Sequence, residues 1–267
     1  MNNVSIAQET IKITADRRYN LNGSIIRLPG IDFEKVKVIS PEEGQKLLDT
    51  DMTAYLSESM CRITINNKDS FEAGRMYKNP LVMNFANAHI PGGGFKFGAN
   101  AQEEALCRCS TLYASITSKE AAVMYQYNNT HVNSVESDYM LISPNVVVFR
   151  DKDLSLMDWP IVMGVVTVPA PDRRGAAMVA SPTKIEETFL RRIRILLRAA
   201  AVNGYKNLVL GAWGCGAFGN YPEDVALYFK KAIVEEEMGR AFDEICFAIY
   251  EYEYGRNITE FKKCFNI

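Results

Sequence analysis

Apolar and polar residues recur along this chain with two different periods, and the periods predict the elements. Arg62 to Asn66 alternates with period two, the pattern of a strand with one face buried. Pro80 to Asn87, Tyr139 to Ser143, Val146 to Phe149 and Ile161 to Val168 are further strand-like runs. Asn207 to Gly211 reads as another strand, and Ile245 to Tyr250 is continuously apolar, as in a strand buried on both faces. Between these runs the spacing becomes helical. Leu106, Cys109, Tyr113 and Ile116 share one helix face, and Ile185, Phe189, Ile193, Leu196 and Ala200 form a longer stripe. Ser181-Pro182-Thr183 opens that second helix, with Glu186 placed for a capping box on Thr183. Asn220 and Pro222 cap a third, whose inner face holds Val225, Tyr228, Phe229 and Ile233. Residues 1–55 read as mostly helical, with a short strand at Val36 to Ser40 and a helix that Pro41 opens behind Ser40 as N-cap. Strand and helix in alternation predict an α/β fold, a largely parallel or mixed sheet between helical layers. The expected division is an N-terminal extension over 1–55, packed on a domain over 56–267.

Composition narrows the function. Of the 267 residues 48% are hydrophobic and 23% charged, enough for a sizeable core without long disorder. A net charge of −2 excludes nonspecific nucleic-acid binding, so any polyanion must be gripped locally. Arg191, Arg192, Arg194 and Arg198 are expected on a solvated outer helix face. Six cysteines and two histidines, His89 and His131, match no zinc spacing, and no metal or cofactor is expected. Cys107 and Cys109 read as small core residues, and His89 as a loop residue. The polar N-terminus has no signal-peptide pattern, and no apolar run is long enough to span a membrane. The expectation is a cytoplasmic monomer with free thiols, or a nuclear one if the source is eukaryotic.

Two glycine-rich loops leave the ends of predicted strands, where open α/β sheets bind ligands. The later one, Gly211 to Asn220, fits the dinucleotide pattern GxGxxG literally from Gly214 to Gly219. It lies too near the C-terminus for a Rossmann half. The candidate acid Glu251 follows Gly219 by 32 residues where about 20 are expected. Its glycines and the helix behind it still suit a phosphate or diphosphate. The earlier loop runs from Asn84 through Asn87 to Gly92-Gly93-Gly94, and seven residues later Gln102-Glu103-Glu104 begins a helix. Acids in a first turn are also explained by the helix dipole alone, for some tenths of a kcal/mol.

Together, Gly92 to Gly94, the seven-residue spacer and the Gln102-Glu103-Glu104 triplet resemble the catalytic signature of poly(ADP-ribose) glycohydrolases. The loop Gly211 to Asn220, and the segments Ser143 to Asp151 and Thr167 to Pro171, resemble the microbial group of these macrodomain enzymes. The resemblance covers nearly the whole chain and is weakest before about residue 55. It implies a macrodomain-like three-layer α/β/α fold and a glycosidase that releases ADP-ribose from poly(ADP-ribose), carried for instance by modified proteins. Glu104 would be the general acid/base, and Glu103 would orient the ribose hydroxyls. Asn87 would contact the distal ribose. Gly92, Gly93 and Gly94 would line the diphosphate from one side. Gly214, Cys215, Gly216, Ala217 and Gly219 would hold it from the other, with Phe218 against the nucleotide and Gln102 in the ligand-binding set.

The chemistry stands without the analogy. Ribosyl cleavage passes through an oxocarbenium-like state, and an acid protonates the leaving oxygen. Burial beside a second carboxylate is expected to raise Glu104 above ordinary glutamate. Two alternatives share the pocket: an ADP-ribose reader without turnover, and a hydrolase for single ADP-ribose units on acceptors. A nucleotide-dependent oxidoreductase would instead exploit the GxGxxG.

Overall fold

The structure is a computed structural model, and it describes residues 2–251 and 255–267. Its frame is a seven-stranded sheet in the order β3-β6-β7-β5-β8-β9-β4. The strands are β3 (Lys37–Ile39), β4 (Arg62–Asn66), β5 (Pro80–Ala86), β6 (Met140–Arg150), β7 (Leu156–Pro169), β8 (Asn207–Leu210) and β9 (Glu244–Ala248). Each neighbouring pair from β7 to β4 is parallel, and β6 runs antiparallel to both β7 and β3. The mixed sheet expected from the alternation is therefore present, with one strand reversed.

Side chains along each strand alternate between two cores. Leu81 and Met83, Val166 and Val168, Leu208 and Leu210, and Ile245 and Phe247 join one cluster. Val82, Val165, Val209 and Cys246 point the other way into a second. The first core is covered by α7 (Pro182–Val202), α8 (Pro222–Lys230), α9 (Arg256–Phe265) and α2 (Pro41–Asp49). The second lies under α3 (Ser70–Gly74), α4 (Gln102–Cys109), α5 (Leu112–Ile116) and α6 (Ala122–Thr130). Two helical layers on one sheet make the three-layer fold. Among the described residues, no helix is long and apolar enough to cross a membrane.

The N-terminal 55 residues contain α1 (Asn3–Asp16) and α2 as expected, and between them a hairpin of β1 (Arg18–Leu21) and β2 (Ser24–Arg27). The hairpin turns on Asn22 and Gly23, both at positive φ, and Tyr19 packs with Phe149 in a small satellite core. The expected strand at 36–40 is β3, an edge of the central sheet, so the extension is built into the fold. Ser40 and Glu43 form the full capping box at α2.

Several local expectations need correction. The runs 139–143 and 146–149 are one strand, β6, with its register shifted between Ser143 and Val146. The helix expected over 106–116 breaks at Ser110, which bridges to Val148 of β6. Thr111 then exchanges hydrogen bonds with Val147, and lateral pairing wins over helix continuation. At α7 the cap is Ser181, accepting from the Lys184 amide, because Pro182 fits the first helical position. That places Glu186 outside any capping box on Thr183. Asn220 does not cap α8; Tyr221 occupies that position, and Asn220 is buried.

The arginine cluster on α7 is not a solvated face. Arg192 is fully buried, seven residues after Ile185 on the inner stripe. It bonds Asp138 at 3.0 Å and the Pro169 carbonyl at 2.9 Å, while Arg191 holds the second oxygen of Asp138 at 2.7 Å. Arg198 bonds the carbonyls of Leu47 and Thr50, tying α2 to α7.

Phe247 lies at the centre of the first core, with the rings of Phe229, Phe261 and Phe265 at 5.3, 5.2 and 5.0 Å. Phe247→Ala should lower unfolding free energy by about 3–5 kcal/mol in a denaturant titration. A loss under about 1 kcal/mol would show that these rings do not hold β9 to α8 and α9.

Candidate active site

The site begins where the sheet stops pairing. β5 pairs with β8 only from Pro80 to Val82, but with β7 as far as Ala86. The Met83 carbonyl and the Phe85 amide therefore need other partners. Gln102, at the start of α4, supplies both: its side chain donates to Met83 O at 2.8 Å and accepts from Phe85 N at 2.9 Å. It also donates to Ser70 Oγ at 3.0 Å. One side-chain amide thus takes the place of the missing strand and fixes the first turn of α4 against the end of β5.

Glu103 and Glu104 follow in that first turn, 3% and 7% exposed. Glu103 Oε1 accepts from Asn84 Nδ2 at 3.1 Å, and Oε2 from the Asn87 amide at 2.8 Å. Glu104 Oε1 accepts from the Gly94 amide at 2.9 Å, and Oε2 from the Ala101 amide at 3.0 Å. The Ala101 bond is half of a capping arrangement, so Glu104 serves the helix as well as facing the cleft. Burial pushes the Glu103 carboxyl up to about 8, against the lowering effect of the Asn87 amide and the Asn84 side chain. The upward push expected at Glu104 is found instead at its neighbour Glu103.

Gly92, Gly93 and Gly94 wrap around this pair. Gly93 has φ +53°, and a Cβ there would lie 2.5 Å from Glu104 Oε1. The Gly93 amide is used by Ile90 O, and the Gly94 amide by Glu104. Asn87 lines the cleft, but its Oδ1 accepts from the His89 and Ile90 amides, both at 2.9 Å. Only its Nδ2 remains to meet a ligand. The half-exposed His89 ring lies 3.1 Å from Asn129 Oδ1, in the loop wall.

The second loop is built the opposite way. Trp213 is fully buried, donates its indole N–H to Val168 O at 3.1 Å, and packs edge-on against Phe189. Asn220 donates to Pro171 O at 2.8 Å and Gly214 O at 3.1 Å, pinning the base of the loop. Gly214 has φ +74°, and a Cβ there would collide with Asn220 and Ala170. Gly216, Ala217 and Phe218 line the cleft. Their three successive backbone N–H groups have no acceptor among the described residues. Such a row of free amides before a helix N-terminus is an anion nest. Cys215 is not part of it: its amide donates to Ala212 O, and its thiol, which burial pushes up, lies beside Trp213 O. Gly219 closes the turn onto Gly216 O.

The acid pair and the nest face one cleft of about 940 Å³. Its other walls include Phe85, Ala170, Ala212, Ile249 and Tyr250. Asn84 was missed in the sequence, although an asparagine within an otherwise apolar strand is a visible signal of a buried polar partner. Ile249 and Tyr250 carry no such signal, because they read simply as strand.

The model of the microbial-type poly(ADP-ribose) glycohydrolase catalytic domain matches residues 7–151, more than half of the chain. The chain is also similar to the crystal structure of a poly(ADP-ribose) glycohydrolase from Thermomonospora curvata. Identity is 31%, 98% of each chain is covered, and the TM-score is 0.89. The same enzyme bound to the inhibitor ADP-HPD matches at 30% identity, with 98% of each chain covered and TM-score 0.86. A Deinococcus radiodurans glycohydrolase in complex with ADP-ribose matches at 31% identity, over 90% of this chain and 98% of that one, with TM-score 0.81. No curated protein matches.

The raised Glu103 has a stability consequence. A carboxyl held at about 8 in the fold, against 4.5 as its ordinary value, binds its proton more tightly when folded. Its favourable contribution is complete below 4.5 and is lost as pH rises through about 8. Glu103→Gln cannot titrate, so its stability relative to wild type should rise between pH 5 and pH 8.5, by about 1–4 kcal/mol. Parallel denaturation curves for the two proteins across that range would refute the assignment.

Proposed function

The chain belongs to the microbial-type poly(ADP-ribose) glycohydrolase family, and on that premise we propose that Glu104 is the acid with which it hydrolyses poly(ADP-ribose) to ADP-ribose. The observation that carries this reading is the placement of a buried carboxyl pair and a row of three unused amides on one cleft.

The diphosphate of a terminal ADP-ribose unit would lie on the amides of Gly216, Ala217 and Phe218, where negative charge replaces water as their acceptor. Ribose hydroxyls would reach Glu103 and Asn87, whose remaining donor is Nδ2. The scissile bond joins C1 of that ribose to the 2′-oxygen of the next unit. Glu104 gives its proton to that oxygen as the C–O bond breaks and an oxocarbenium-like ribosyl centre forms. The Glu104 carboxylate then takes a proton from the water that adds to C1, which restores the acid and completes free ADP-ribose. Hydrogen bonds from Gly94 and Ala101 favour the carboxylate, the form present while the sugar is positive. They add stabilisation where charge develops.

Six free cysteines suit a reducing compartment, and we place the enzyme in the cytoplasm, acting on polymer attached to modified proteins.

With poly(ADP-ribosyl)ated protein as substrate, Glu104→Gln should reduce ADP-ribose release by about 10²-fold or more. Titration calorimetry should find ADP-ribose affinity changed less than about fivefold, within roughly 1 kcal/mol. Release at the wild-type rate by the variant would remove Glu104 from the mechanism. Tight binding without release by the wild type would make this chain a reader.

A further inference from the structure

We propose that Arg108 is a positioning residue for the glycosidic step, bracing the loop that presents hydrogen bonds to Glu104. This inference rests on Glu104 being the acid.

Arg108 lies four residues after Glu104, one turn along α4. It is 1% exposed. Its Nη1 donates to Ala99 O and its Nη2 to Asn100 Oδ1, both at 2.6 Å. Its own carbonyl accepts from Thr10 Oγ1 of α1 at 2.7 Å, so the N-terminal helix fixes the residue from behind.

Ala99 and Asn100 belong to the loop between Gly94 and Ala101, and that loop is fastened to the acid at both ends. Gly94 donates to one oxygen of Glu104 and Ala101 to the other. Inside it, the Ala99 amide returns to Gly94 O at 3.2 Å. Lys96, Phe97, Ala99 and Asn100 are exposed. Short exposed segments with few packed side chains open locally unless tied down. The near part of the loop is held by buried Phe95 and by Lys96 over the Tyr113 ring. Its far part is held by a bond from Asn3 Nδ2 to Gly98 O at 3.1 Å and by the guanidinium bonds of Arg108 to Ala99 and Asn100.

Charge makes the same point. Among the described residues no carboxylate lies within ion-pair distance of Arg108, and its Nε–H has no acceptor. Burying a guanidinium without a counter-charge costs several kcal/mol, and a leucine or methionine would pack more cheaply here. Burial pushes its pKa down, with Glu104 among the charges that act against this. A positive charge one turn from Glu104 favours the carboxylate left after proton transfer. It also bonds Ala99 and Asn100, in the loop whose two end amides do the same.

The test compares wild type, Arg108→Met, Arg108→Lys, Asn100→Ala and Glu104→Gln. Each is assayed for ADP-ribose release from poly(ADP-ribosyl)ated protein, ADP-ribose binding by calorimetry, and thermal unfolding. For Arg108→Met, kcat should fall about tenfold or more, as for other small misplacements of a catalytic group. KM and ADP-ribose affinity should stay within about threefold, less than 1 kcal/mol. The basic limb of its kcat–pH profile should move to higher pH, since the lost cation and loosened amides both favoured the carboxylate. Arg108→Lys, which keeps the charge but not the fork, should lie between. Asn100→Ala should show a smaller fall of the same kind.

A folded Arg108→Met with wild-type kcat would overturn the proposal. So would a loss confined to KM and ADP-ribose affinity with an unmoved pH profile. If Arg108→Met does not fold, Asn100→Ala decides, and an unchanged kcat there is fatal. Turnover by Glu104→Gln would instead overturn the reading of the acid, whatever Arg108 does.

Discussion

The architecture of the cleft depends on one substitution of partners: the side chain of Gln102 in place of a strand. A parallel sheet can open a crevice only where two neighbours diverge, and divergence leaves backbone groups without a ladder. β8 ends at Leu210 while β5 runs on to Ala86. Gln102 meets the Met83 carbonyl and the Phe85 amide that β8 no longer reaches. Because the same residue begins α4, the repair of the sheet edge also fixes the phase of the helix. Glu103 and Glu104 then project at defined places, one towards Asn84 and Asn87, the other towards Gly94 and Ala101.

The two glycine-rich loops use the same residue type for opposite ends. Around the acid pair, backbone amides are spent on the protein's own carboxylates. In the loop after β8, Trp213 and Asn220 anchor the base, and the amides of Gly216 to Phe218 stay free for an outside anion. A cleft with both signs of provision suits a substrate with a negative middle and a reacting sugar at one end. It needs little net positive charge, consistent with a chain whose formal charge is −2.

Most of the sheet was legible in the sequence because its strands are either strictly alternating or continuously apolar. The hairpin over 18–27 was not legible, since a four-residue strand with exposed Ser24 and Ile25 has no clear period. Ser110 was read as helical because its pairing with Val148 is a tertiary contact, and periodicity does not carry such contacts. Arg192 could have been placed inside from its phase with Ile185, but its charge pointed outwards until Asp138 was found beside it. In the site, Glu103, Glu104, Asn87 and the run 216–218 were readable as motif residues. Which amides of each loop were occupied, and hence the differing parts played by Gly92 to Gly94 and by Cys215, depends on hydrogen bonds alone.

The contact between Gly93 and Glu104 bears on how such chains diverge. A side chain at position 93 is barred by the carboxylate oxygen 2.5 Å from where its Cβ would stand, and by a positive φ. The ligand is not what forbids it. A descendant that kept the nest after β8 but gave up hydrolysis would lose the steric half of this restriction once Glu104 shortened, and keep the half set by the positive φ. Only the middle glycine of the run is crowded by the acid, since a Cβ at Gly92 would meet Tyr113 and one at Gly94 would meet Ala99. In a lineage of pure binders position 93 should therefore be the first of the three to drift while Gly214 persists.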